Sequence, residues 1–275
     1  MGRSLDERYP HLSKLAVNDK KTLDSLGEAS SAQHEEYLTL GDCCWFALNE
    51  KLGWGGPTPC NYLSTVDEFA KSLGEVESWK FWRRLYRGRQ SAFLDVLSEA
   101  AWGIHFRDYG YPAQFEAPFG DHPVESKDAD FSVLLEGEKW WLDVISLGVE
   151  KPTPPANQHV AASVGRRDVT SIAAELGRKA RNKYKRKFKD AVRSRSIHDC
   201  RIGILVCVLK RESSILQPFL ALETTDEVCV PAGVFDDEHP GLDLVAVHTL
   251  RASAESDVLR PVPLCTWVRP GARWM

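Results

Sequence analysis

Glu99, Asp130 and Asp143 are the residues whose type and placement point to chemistry. Asp143 interrupts the apolar run Lys139–Leu147 (KWWLDVISL), and an aspartate within such a strand is costly to bury unless it is paired or binds a cation. Asp130 opens the segment DFSVLL, and the turn Glu136-Gly137-Glu138 separates it from Asp143. Their separation is odd, so in an antiparallel hairpin they can stand opposite each other on one sheet face. Glu99 falls on a helical pattern, beside the apolar stripe rather than opposite it. Hard divalent cations such as Mg²⁺ take oxygen ligands, a few from protein and the rest from water or phosphate. Such a metal can activate water and stabilise the charge that builds on a phosphodiester in the transition state. Plainer roles exist for each acid. Glu99 alone reads as a surface carboxylate, backbone donors in a turn would satisfy Asp130, and a buried ion pair with Arg181 would satisfy Asp143.

The second chemical feature is a basic run. Arg178–Arg195 (RKARNKYKRKFKDAVRSR) holds ten Lys or Arg and a single acid, Asp190. With Ala180, Tyr184 and Phe188 on the buried face of a helix, Lys183 and Lys187 lie beside that face and Lys179 lies further round, while Lys185 and Lys189 point to solvent. Most charge runs are solvated faces. A run this one-sided repels itself unless an anion is present. A phosphate backbone would supply that anion, with an affinity that falls as salt rises.

The elements that must position these residues follow from periodicity. Residues 1–90 read as a polar, helical accessory region broken by the loop Gly53–Pro59, with a capping box of Thr65 and Glu68 opening a helix over Thr65–Tyr86. Residues 91–275 form the second part. A helix is predicted over Ser91–Tyr109, with Phe93, Leu97, Ala100, Ala101 and Ile104 at helical spacing and Gly110 as the stop. A short strand over Ala113–Phe119 precedes the hairpin Asp130–Leu135 and Lys139–Leu147. After a loop over Lys151–Gln158, one long helix is predicted over Asp168–Val192. Ile202–Leu209 (IGILVCVL) suits a strand buried on both faces, and Leu244–Val247 a further short strand.

This order of helix, three strands, helix and strand, with acids in these places, resembles the PD-(D/E)XK nuclease superfamily and its restriction-endonuclease-like fold. The matching pieces are Ser98-Glu99-Ala100, Ala129-Asp130-Phe131 and Asp143-Val144-Ile145, with YGYPAQFEAPFG in the place of the family's first strand. They cover Ser91–Leu209. The resemblance implies an α/β fold with an αβββαβ core. It also implies Mg²⁺ or Mn²⁺ held by Glu99, Asp130 and Asp143, and cleavage of a nucleic-acid backbone, with DNA as the expected substrate. Ala129 stands where the family has Pro. Ile145 stands where it has the Lys that orients the attacking water and neutralises charge. In the resembled fold the second helix packs near the metal site, so Lys183 is the first candidate to replace that lysine, followed by Lys179 and Lys187. Lys179, Lys183, Arg186 and Lys187 are then the expected nucleic-acid contacts. A catalytically degenerate relative that binds nucleic acid or acts as a scaffold is the alternative. A third possibility is an interaction protein whose Trp-rich N-terminal region meets a protein partner or a second copy.

Composition limits the field. A chain of 275 residues that is 43% hydrophobic and 27% charged is ordinary for a soluble globular protein, and its net charge of -4 argues against coating nucleic acid by bulk charge. The seven cysteines are odd in number and form no C-x-x-C pair, which argues against a zinc ribbon and for reduced thiols in the cytoplasm. MGRSLDERYPHL lacks the apolar stretch of a secretory signal, and no window reaches membrane-spanning length. His105, His122 and His198 stand apart, without zinc-ligand spacing.

Overall fold

The computed structural model describes residues 7, 9–12, 59–87, 90–119, 127–146, 169–193, 200–208, 235, 241–253, 256–269 and 272. The Lys151–Gln158 loop, most of the Gly53–Pro59 loop, His122 and His198 lie outside them. The described elements are α1 (Pro59–Ser72), α2 (Glu75–Arg87), α3 (Gln90–Asp108), β1 (Ala113–Phe119), β2 (Lys127–Leu135), β3 (Glu138–Ser146), α4 (Val169–Lys187), α5 (Lys189–Arg193), β4 (Cys200–Cys207), β5 (Leu244–Ser253) and β6 (Ser256–Val268). The fold is mixed α/β, and the six strands among the described residues form one sheet in sequence order. β1, β2 and β3 pair antiparallel, β3–β4 and β4–β5 pair parallel, and β6 returns antiparallel to β5.

Each face of the sheet carries its own core. On one face Leu97, Ala100, Ala101 and Ile104 of α3 pack with Leu63, Val66 and Phe69 of α1, Phe81 of α2 and Trp140, Leu142 and Val144 of β3. On the other face Leu176, Ala180, Tyr184 and Phe188 of α4 and the turn after it pack with Trp141, Ile145, Ile202, Ile204 and Val206. The alternation of Trp140 and Trp141 between the two cores follows from the strand period of two. Gly203 lets β4 sit between its neighbours, because a Cβ there would meet Leu142 at 2.7 Å and Leu244 at 2.9 Å.

Several elements match their predicted spans closely, and others differ for physical reasons. α3 ends where Gly110, at φ 73, takes the left-handed conformation. There the Tyr111 N–H donates to Phe106 O at 2.8 Å and the Gly110 N–H to Arg107 O at 3.0 Å, which satisfies the last carbonyls. The hairpin turn is the two residues Glu136 and Gly137, both at positive φ, a geometry that suits the strand twist. The capping box at Thr65 is corrected. Helix α1 starts at Pro59, and Thr65 is buried in its middle, donating to Asn61 O at 2.6 Å and accepting from the Leu259 N–H at 2.8 Å. The chain breaks instead at Leu73-Gly74, where Glu77 Oε2 accepts from the Gly74 N–H at 2.9 Å. The long basic helix is two helices meeting at Phe188, and the last strand is longer than expected and paired with the unforeseen β6.

Candidate functional site

The acids assemble where the β2–β3 hairpin opens. The last regular pair is Phe131↔Leu142, so Asp130 and Asp143 stand in the next opposed positions. Their side chains replace the main-chain ladder: the Asp130 N–H donates to Asp143 Oδ1 at 3.1 Å, and the Val144 N–H donates to Asp130 Oδ2 at 2.7 Å. On the other side of Asp130, Glu116 of β1 is held at φ 45, a conformation few non-glycine residues adopt. Both strands switch faces here. Phe115 and Phe131 belong to the α3-side core, while Ala117 and Ala129, two residues away in each strand, belong to the α4-side core. This local twist leaves Asp130 open to cations from both helical layers.

From the α4 side come two lysines one turn apart. Lys187 Nζ lies 3.3 Å from Asp130 Oδ1 and is also hydrogen-bonded to Asp143 Oδ1, while Lys183 Nζ lies 3.2 Å from Asp143 Oδ2. Lys179, a further turn back, donates to the Ser146 carbonyl at 3.5 Å and lies 3.8 Å from Glu175. Arg186 is exposed and donates back to Asn182 O at 3.4 Å, away from the acids. Ile145, where the resemblance led to the expectation of a lysine, packs in the core against α4.

From the other side comes a residue that the sequence did not single out. Arg84 of α2 bonds to Glu99 Oε1, lies 3.1 Å from Glu116 Oε1 and 3.9 Å from Asp130 Oδ1. Lys80, about one turn earlier, lies 3.4 Å from Glu116 and 3.2 Å from Asp128. Asp95, one turn before Glu99 on α3, accepts from the Ser146 N–H at the end of β3. Ser98 fixes the same helix from behind. Its Oγ is 2.7 Å from His248 Nε2, which also accepts from Trp102 Nε1 at 3.1 Å, and burial lowers this histidine to about 3. A lone Arg84 in an ordinary amphipathic helix carries no sequence signal, and neither does a histidine paired through the fold.

Electrostatics separate the acids. Burial pushes Glu99 well above the ordinary carboxylate range, and the charge of Asp130 adds to this against the pull of Arg84. Burial also works on Asp130, but Lys187, Lys183 and Arg84 outweigh it and hold that carboxyl at about 2. Asp143 is raised by burial and by the adjacent Asp130 charge, despite its two lysines. Two carboxylates sharing one ammonium titrate as a pair, so one is kept ionised at the other's expense. Lys183 is raised: burial opposes its charge, and Asp143 and Asp130 more than compensate.

The structure thus brings Asp130, Asp143, Lys183 and Lys187 into direct contact, reaches Glu99 through Arg84, and leaves Lys179 and Arg186 outside the acid cluster. Among the described residues, no group of three or more His, Cys, Asp or Glu is arranged to hold a metal ion. The donor chemistry still suits a hard cation at one atom, the buried Glu99 Oε2, which has no hydrogen-bond partner, whereas Asp143 Oδ2 already faces the Lys183 ammonium at 3.2 Å. No described helix is long and apolar enough to cross a membrane. Compared with protein-family models, curated proteins and solved structures, the chain matches none.

Proposed function

We propose that this chain is a metal-dependent nuclease with a restriction-endonuclease-like core, hydrolysing phosphodiester bonds in DNA. The observation that carries the reading is the pair Lys183 and Lys187, whose ammonium groups lie 3.2 and 3.3 Å from Asp143 and Asp130. They bring from α4 the cation that Ile145 lacks. The order α3, β1, β2, β3, α4, β4 supports it as well. Asp130, Asp143 and Glu99 would hold Mg²⁺ or Mn²⁺, which when bound supplies Lewis-acid stabilisation of the phosphate and a more acidic water. The chain's own part is to orient Asp143 through the Asp130 N–H and to offset phosphate charge with Lys183 and Lys187. The exposed Arg186 and the half-buried Lys179 extend that positive surface along the nucleic acid.

The test is cleavage of single- and double-stranded DNA and RNA by the purified chain with Mg²⁺ or Mn²⁺. Asp143→Asn is the comparison, because it keeps the shape of a side chain that is fully buried. We expect metal-dependent cleavage of DNA, reduced roughly a hundredfold or more in the variant. Equal cleavage by the variant would remove Asp143 from the mechanism. A second reading draws on the same ion pairs, since acids already neutralised by Arg84, Lys183 and Lys187 can serve structure alone. It predicts salt-sensitive binding without cleavage by the parent protein, as for a degenerate nucleic-acid-binding module. Absence of binding even at low salt would leave an interaction protein, with the N-terminal helical region as its contact surface.

A further inference from the structure

We propose that Arg84 is the counter-ion that sets the divalent-cation affinity of the acid cluster, so that helix α2, outside the nuclease-like core, controls how the site is loaded. This rests on the metal-dependent reading above. The guanidinium contacts Glu99 and Glu116 directly and lies 3.9 Å from Asp130. Two of these three acids, Glu99 and Asp130, are the oxygens a metal would need, and both side chains are almost fully removed from water. A fixed positive charge beside these oxygens opposes the entry of a second cation, and burial leaves little water to screen the two from each other. Asp130 also carries Lys187, so the cation must displace or outcompete charge on both sides. The lysines hang on flexible stems and can turn toward a phosphate, whereas the arginine fork is fixed by two carboxylates at once. One buried oxygen of Glu99, Oε2, is left without a hydrogen bond. That oxygen gives an entering cation a first point of attachment while Oε1 still holds Arg84.

The experiment titrates the full chain with Mn²⁺ alone by calorimetry near pH 7 at low ionic strength, comparing the parent protein with Arg84→Gln, Arg84→Met, Arg84→Lys and Lys80→Ala. Thermal unfolding of each reports on the fold. Arg84→Gln is expected to bind Mn²⁺ about tenfold tighter, equivalent to about 1.4 kcal/mol. Arg84→Lys retains the charge and stays near the parent value. Lys80→Ala removes a charge that touches neither Glu99 nor Asp130, and it controls for a general change in surface potential. If Arg84→Gln does not fold, Arg84→Met keeps the aliphatic stem and carries the same expectation. Equal or weaker Mn²⁺ binding by a folded, uncharged variant overturns the proposal while leaving the metal reading intact. Loss of the fold in both uncharged variants also overturns it, since Arg84 is then a structural counter-ion. No Mn²⁺ binding by any of the folded proteins overturns the metal reading and the proposal together.

Discussion

The two flanks of Asp130 solve one problem in different ways. On the α2 flank a single arginine spans Glu99, Glu116 and Asp130. On the α4 flank two lysines one turn apart divide Asp130 and Asp143 between them. A planar, always-charged guanidinium ties several carboxylates into one geometry, whereas an ammonium is a point charge on a rotatable stem. The first arrangement suits holding and the second suits exchange. Burial is expensive on both flanks, and the difference lies in what happens when a cation is removed.

Removing Lys187 is the largest expected effect. Lys187→Ala leaves two buried carboxylates with only Lys183 and the more distant Arg84 beside them. Uncompensated buried charge of this kind costs roughly 3 kcal/mol, the low end for a broken buried pair, because part of Lys187 still meets water. Lys183→Ala touches Asp143 alone and is expected to cost about 1 kcal/mol. Urea unfolding at pH 7 measures both. If the two variants unfold at the same midpoint, the lysines are interchangeable and the special place of Lys187 is lost.

A smaller effect separates the flanks by pH. Asp130 is held at about 2 by Lys187, Lys183 and Arg84 in spite of burial, so its contribution is complete above its unfolded value, about 4, and is lost as pH falls toward 2. Glu99, Asp143 and Asp95 are raised mainly by burial, so the native state binds protons there that the unfolded state releases. Their cost is present at neutral pH and is relieved as pH falls through their raised native values. Stability is therefore expected to rise as pH falls from 7 through the raised native values of these acids, and then to fall below about 4 as Asp130 is protonated. Glu99→Gln flattens the rise and leaves the acid-side fall in place. Parallel urea-midpoint profiles for the parent protein and Glu99→Gln between pH 7 and 5 would show that Glu99 is not part of that balance.

The contrast between flanks also explains what the sequence made legible. Asp143 was conspicuous because an acid inside KWWLDVISL must be accounted for, and the odd spacing to Asp130 placed the two opposite each other. The basic run announced Lys183 and Lys187, since helical spacing from Ala180, Tyr184 and Phe188 puts both beside the buried face. Arg84 was invisible because its partners come from α3, β1 and β2, and no local pattern encodes a contact made only by tertiary packing. Glu116 was hidden for a related reason: its positive φ follows from strands changing faces, not from a turn residue in the sequence. Strand β6 was not foreseen, and it holds Pro261 and Pro263, a residue type that strand interiors disfavour. At the sheet edge, the N–H groups that proline lacks are needed less.

The weakest expected effect tests the outward face of α4. Arg178, Asn182, Lys185 and Arg186 are exposed, and none of them touches Glu99, Asp130 or Asp143. Arg186→Ala is therefore expected to change the unfolding free energy by no more than about 0.5 kcal/mol. If this face tracks a phosphate backbone, the same change weakens DNA binding about equally for unrelated sequences. It also lowers the slope of log affinity against log salt by roughly 1, because one fewer counterion is released. Fluorescence anisotropy over a salt series with two unrelated duplexes measures both quantities. An unchanged slope would make the outward residues a solvated surface and confine the chemistry of α4 to the inward row of Lys183 and Lys187. A reduced slope with unchanged stability separates binding from folding on one helix. Lys187, which is bound into the acid pair, cannot make that separation.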